Sequence, residues 1–265
     1  MSLSVNTNLS AMDANRNLNA TENSLSMAMQ RLSSGLKINS AADDVAGYAI
    51  SQSLEGQVNG LNQATQNSQD AVSLAQTAQG SLNDVEQMLQ RVRELAVQYA
   101  NGTTSEADKE AITSEVTQLS SEIERVGETT QFNGIDLLSK ATTISFQVGA
   151  NDGEVIGVTT VDLNTELKGL IELKGTEPIT KIDEAINTVS ALAGEYGSVQ
   201  DRIQYTESNL ETYSQNLSSA VSGITDVNMA AEMTNFTKLQ VLEQAGVSIL
   251  SQANAEPQAV LKLLQ

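Results

Sequence analysis

The sequence predicts a mainly α-helical protein: long antiparallel coiled-coil helices, a small β-hairpin, and N- and C-terminal helices that pair. Three observations predict this fold class. Apolar residues recur at alternating spacings of three and four over two long stretches. Only 2 of 265 residues are proline, which helix interiors exclude at about 3 kcal/mol. Aromatic residues make up 3% of the chain, with no Trp. Ala, Leu, Val and Ile must therefore supply the buried surface, which suits helices meeting side to side.

The first element is an amphipathic stretch over residues 1–36, with Val5, Leu9, Met12, Leu18, Leu25, Met29, Leu32 and Leu36 diluted by Asn and Ser. It has enough apolar surface to need a partner and too little helix propensity to stand alone. A long rod follows. Leu61, Ala64, Ser68, Ala71, Ala75, Ala78, Leu82, Val85, Leu89, Val92, Ala96 and Tyr99 form an unbroken coiled-coil seam, roughly 57 Å long at 1.5 Å per residue. Asn101-Gly102 should end it.

Ser105 with Asp108 reads as a capping box opening a second helix. Ile112, Val116, Leu119, Ile123 and Val126 continue it, and Gly127 and the turn Phe132-Asn133-Gly134 are expected to close it. Ile144, Phe146 and Val148 then alternate with polar residues, and the turn at 149–154 leads into Val155–Val158, which predicts a hairpin.

The last rod carries the longest seam: Ile182, Ala185, Val189, Leu192, Tyr196, Val199, Ile203, Thr206, Leu210, Tyr213, Leu217, Ala220, Ile224 and Val227. Antiparallel pairing with the first rod is expected to set Ala64–Ala78 opposite Leu210, Tyr213 and Leu217, so that large side chains pack over small ones. The final segment, 228–265, holds Met229, Met233, Phe236, Leu239, Leu242, Ala245, Ile249, Leu261 and Leu264. Both ends are expected to be mobile in a free monomer and to become helical when buried against other chains.

The formal net charge is −19. Residues 1–42 hold Arg16, Arg31 and Lys37 against Asp13 and Glu22, and 228–265 hold two basic and three acidic residues. The span 43–227 therefore carries 28 acidic against 9 basic residues. Near-neutral ends suit burial in an assembly, while an acidic middle suits a solvated surface. With no basic patch, nucleic-acid binding is disfavoured. No His and no Cys leave no thiolate metal site and no common general base.

The pair Asp43-Asp44 follows Ser40 where a helix should start, so it reads as capping rather than as acid–base or metal chemistry. No enzyme activity and no cofactor are expected. No apolar run spans a membrane, and the first twenty residues do not read as a Sec-type signal peptide.

Three segments resemble the bacterial flagellins: RLSSGLKINSAADD at 31–44, LQRVRELAVQ at 89–98, and QFNG at 131–134 with QVGAN at 147–151. The C-terminal region, a long seam followed by a Met- and Leu-containing helix, is similar too. The resemblance implies a short subunit without the variable outer domains, since only 151–180 separate the hairpin from the last rod. It implies 1–42 as the N-terminal D0 helix, 43–180 as the N-terminal part of D1, 181–227 as the C-terminal D1 helix and 228–265 as the C-terminal D0 helix.

The implied function is self-polymerisation into the extracellular flagellar filament for motility, with the hook–filament junction protein as the alternative. Copy number separates the two, because a filament protein is abundant and forms long polymers alone. Implied D0 assembly residues are Leu9, Met12, Leu25, Leu32, Phe236, Leu239, Leu242, Ile249, Leu261 and Leu264. The D1 seam is represented by Leu61, Ala71, Leu82, Leu89, Tyr196, Ile203, Leu210, Tyr213 and Leu217. Implied partners are further flagellin subunits, an export chaperone with the type III export apparatus, the filament cap and the junction proteins. The family's vertebrate Toll-like receptor contact carries over to Arg91, Leu95 and Glu115.

Overall fold

The computed structural model describes residues 7–173 and 177–263, without the side chains of 256–263. Val5 and Leu264, and the side chain of Leu261, lie outside the described residues. In chain order the elements are α1 (Leu9–Ser34), α2 (Val45–Tyr99), α3 (Glu106–Thr129), β1 (Gln131–Phe132), β2 (Ile135–Asp136), β3 (Thr143–Gln147), β4 (Val155–Thr159), α4 (Leu163–Glu166), α5 (Pro178–Thr225) and α6 (Met229–Leu263). They group into two compact units, one made of 1–56 with 217–265 and one of 57–216.

The second unit has a dense core. Every member of the α2 seam from Leu61 to Ala96 is at most 1% exposed, Ser68 included. Ser68 is tolerated there because its hydroxyl donates to the carbonyl of Ala64 at 2.9 Å. A second buried row, Leu74 and Leu95, lies off the seam because α2 is covered on more than one side. Leu74, Leu82 and Leu89 share a cluster with Leu137, Leu138, Val158 and Leu163 and with Val189 and Ile203 of α5. Each fully buried Leu or Ile contributes about 1.5–3 kcal/mol of transfer free energy.

Local chemistry sets the element boundaries. Ser105 and Asp108 form the expected reciprocal capping box at the start of α3. Gly127 does not end α3, however; the helix runs on to Thr129. A Cβ at Gly127 would stand 2.9 Å from Asn164 Oδ1, so the glycine admits the close approach of the α4 segment. Asn133 (φ 48) and Gly134 (φ 78) make a two-residue turn between β1 and β2, and these positive φ values match a type I′ hairpin. The hairpin β3–β4 pairs antiparallel, with Ile144 opposite Val158 and Phe146 opposite Ile156. The seam of α5 stops at Thr225, so Val227 lies beyond the helix, where its N–H donates to the carbonyl of Gly35 at 2.9 Å.

The two rods run antiparallel, in a register different from the expected one. Ser214 donates to Asn62 at 3.2 Å, Gln69 donates to Glu207 at 2.9 Å, and Arg93 pairs with Asp183. Each step up α2 in this series is matched by an equal step down α5, which puts Ala71 level with Tyr205. Tyr213 lies eight residues further along, about 12 Å at 1.5 Å per residue. A heptad pattern shifted by about one repeat still aligns apolar with apolar, so spacing alone does not fix which repeat faces which.

In the other unit, α1 and α6 pair antiparallel. Asn8 caps α1 by accepting from the N–H of Ala11, while its side-chain amide donates to the carbonyl of Ala253 at 2.7 Å. A Cβ at Gly246 would meet Leu18 Cδ1 at 3.2 Å. Both ends are thus helical in the single chain, whereas helix formation was expected only on burial against other chains. The reason is mutual cover: Leu18 and Leu25 of α1 and Phe236 and Leu239 of α6 are half-buried, which supplies the tertiary support that weak propensity lacks.

Candidate assembly surfaces

Within the unit that holds both chain ends, the stretch from Arg31 to Asp44 acts as a joint. Gly35 caps α1 in the left-handed region at φ 75, a conformation that costs a Cβ-bearing residue but not glycine. The chain then runs against the end of α5. The N–H of Lys37 donates to the carbonyl of Thr225 at 2.6 Å, Leu36 bridges Asp226, and Val227 returns the bond to Gly35. Ile38 is buried, 7% exposed.

Asp43 accepts from the N–H groups of Asn39 and Ser40 at 3.1 and 3.0 Å. Those two donors hold its carboxyl below the usual carboxylate range. Asp44 Oδ1 accepts from the N–H groups of Ala46 and Gly47, both at 3.0 Å, capping α2. Both carboxylates are consumed by backbone donors, in keeping with the capping role. Among the described residues no three metal-binding side chains come together, and no helix is long and apolar enough to cross a membrane.

Mutual cover of α1 and α6 leaves much apolar surface uncovered. Of the residues expected to assemble, Leu9 is 65%, Met12 62%, Leu242 45% and Ile249 59% exposed. Leu25, Leu32, Phe236 and Leu239 are half-buried in the helix pair. Met27, Val241 and Val247, which the sequence reading did not single out, are exposed as well. On α6, Val241 and Leu242 with Thr234, Thr237 and Lys238 line an open recess of about 490 Å³. Large apolar side chains left uncovered on both paired helices mark a contact surface.

The other unit places its predicted residues in two groups. Leu61, Ala71, Leu82, Leu89, Tyr196, Ile203 and Leu210 are buried. Tyr196 donates to the carbonyl of Leu137 at 3.4 Å, and burial pushes its phenol up to about 12. Tyr213 is 46% exposed, so the seam opens to solvent toward the end of this unit; Leu217, in the unit of the chain ends, is half-buried. Where it opens, a recess of about 440 Å³ is lined by Leu61, Val148, Tyr205, Leu210 and Tyr213. Tyr205, passed over in the sequence because it lies off the seam, is 80% exposed there. Exposed aromatics of this kind are typical anchors of protein contacts.

A third feature joins α2 to α3. Arg91 pairs with Glu115 at 3.0 Å and with Glu94 at 3.0 Å. Both contacts raise the guanidinium's pKa, Glu115 first. Leu95, expected at the same surface, is only 2% exposed and sits in the cluster of Val92, Ile112 and Val116. It supports the charged patch from beneath and offers no contact area itself. The reason is its row: three residues after Val92, it faces α3 rather than solvent.

Comparison with known proteins covers both halves of the chain. The family model for the bacterial flagellin N-terminal helical region matches residues 5–143, and that for the bacterial flagellin C-terminal helical region matches 179–264. The chain is similar to a flagellin of Halalkalibacterium halodurans, 47% identical with 98% of this chain and 99% of the relative aligned. It is also similar to a flagellin of Bacillus subtilis, 38% identical with the same shares covered. Among solved structures, Bacillus cereus flagellin is similar with a TM-score of 0.51 at 30% identity, over 59% of this chain and 94% of that one.

Proposed function

Given that the chain belongs to the bacterial flagellin family and is a structural subunit of the flagellar filament, we propose that polymerisation proceeds by covering the apolar faces of α1 and α6. The observation behind this reading is the exposure of Leu9, Met12, Val241, Leu242 and Ile249 on helices already paired along their other faces. Burial of such side chains contributes about 25 cal/mol per Å². Repeated over every subunit, that term favours the polymer.

In this reading residues 1–42 and 228–265 form the inner D0 layer, while 43–180 and 181–227 form D1 outside it. The acidic excess of 43–227 supports the assignment, because charge belongs where solvent remains. The recess beside Tyr205 and Tyr213 provides a second contact between D1 units. The subunit leaves the cell through the type III export apparatus with its apolar C-terminal helix held by a chaperone. It is then added beneath the filament cap, on a base of junction proteins. Arg91 and Glu115, stiffened by Leu95 below, form the surface offered to a Toll-like receptor. No catalytic role is assigned.

The test is seeded polymerisation. Purified monomer is mixed with filament fragments and imaged by electron microscopy, beside a chain lacking 228–265. Long filaments from the full chain alone are expected. A full chain that stays monomeric under every seeding condition would instead favour the junction-protein role.

A further inference from the structure

Of the chain's seven methionines, six lie among the described residues, and five of those six are on α1 and α6. Met88, in α2, is the exception and is half-buried. The five are not spread evenly. Met29 and Met233 each lie six residues from the link between Gly35 and Val227, and Met27 and Met229 lie close by on the same two helices. The antiparallel pairing therefore gathers Met27, Met29, Met229 and Met233 at one end of the helix pair. All four are 47–49% exposed.

We propose that this cluster is an oxidation site that gates polymerisation, and that oxidants of the peroxide class act on it in the unassembled subunit. The step is a two-electron oxygen transfer. A thioether lone pair attacks one peroxide oxygen, the O–O bond breaks, the sulfur becomes a sulfoxide and the peroxide is reduced to water. The product replaces a flexible apolar tip with a polar S=O group. A surface that must be dried on assembly then carries an acceptor without a donor. With no Cys in the chain, no thiolate competes for the oxidant. The inference rests on the assembly reading of α1 and α6, since the sulfoxide matters only if these faces become buried.

Monomer is treated with hydrogen peroxide, oxidised positions are mapped by mass spectrometry, and seed extension is timed. Sulfoxide is expected at the four clustered methionines before Met88, with extension slowed roughly tenfold or more, the effect of burying one unsatisfied polar group. The variant M27L/M29L/M229L/M233L, made on an M12L background because Met12 is 62% exposed, should extend seeds equally fast with and without the same treatment, whereas M12L alone should remain as sensitive as wild type. Incubating oxidised wild type with both epimer-specific methionine sulfoxide reductases and a thiol reductant should restore extension. Oxidised wild type extending normally, a quadruple variant as sensitive as wild type, or no recovery after reduction would each overturn the proposal. Untreated wild type that fails to extend seeds would refute the assembly reading instead, so the two failures are distinguishable.

Discussion

The seam of α2 and the apolar surface of α1 are built from similar residue types but have opposite fates within one chain. From Leu61 to Ala96 the α2 seam is dry, covered by α5, α3, the β3–β4 hairpin and the loop carrying Leu137 and Leu138. In α1 only Ala28 is buried; Leu18, Leu25 and Leu32 are half-buried, and Leu9, Met12, Met27 and Met29 are exposed. The difference lies in the number of partners. A helix with several neighbours in its own chain completes its core there, whereas a helix with one neighbour leaves faces for other molecules. Assembly surfaces are thus recognised by incomplete cover more readily than by hydrophobicity.

The strongest challenge to this contrast is native-state hydrogen exchange on the monomer. Amides of α2 between Leu61 and Ala96 should exchange on the order of a thousandfold more slowly than those of α1 and α6, because local opening spans the range from near zero to the global stability. Equal protection in both would remove the distinction. Next in size, Leu82→Ala should destabilise the monomer by about 2–5 kcal/mol in denaturant unfolding. Leu242→Ala should stay within about 0.5 kcal/mol, as a surface change does, yet slow seed extension. A large loss of monomer stability in Leu242→Ala would mean that α6 is already part of a finished core.

A smaller effect concerns the joint. Asp43→Ala should lower the unfolding midpoint at neutral pH, and the deficit should shrink in acid. The sign follows from linkage: the folded carboxyl titrates below its unfolded value of about 3.9, so its contribution is present above that pH and fades as pH falls through the folded value. A deficit independent of pH would mean that Asp43 acts by packing. The smallest expected effect is at Arg91. Because the ion pair is exposed to solvent, Arg91→Ala and Glu115→Ala should leave monomer unfolding essentially unchanged in a double-mutant cycle.

Much of this arrangement is legible in the sequence, and the parts that are not have physical reasons. The three–four alternation located both rods because one buried stripe on a helix has one period. Leu74 and Leu95 escaped because a helix with neighbours on two sides buries two stripes, and the second breaks no pattern of its own. Leu137 and Leu138, in an irregular segment, and Leu163, in the single turn of α4, all at 0% exposure, lie in pieces too short to show a period. The joint at 31–44 was legible as a resemblance and as helix capping, but its bonds to Thr225 and Val227 join residues far apart in the chain, beyond the reach of any local pattern. Likewise, the spacing did not reveal that Leu95, expected at an exposed contact patch, is buried in the cluster with Ile112 and Val116 of α3.

The joint also has a consequence for how such chains can grow. By clasping residues 35–38 to 225–227 through backbone bonds, it fixes both ends of everything threaded between them. Lengthening that closed segment at an exposed connection then costs mainly loop-closure entropy, about 0.6 kcal/mol for each doubling of the loop. The exposed turn at Lys168-Gly169, between the buried Leu167 and Leu173, is therefore a tolerant site for extra domains or displayed peptides, while the clasped ends keep the chemistry that joins one copy to the next.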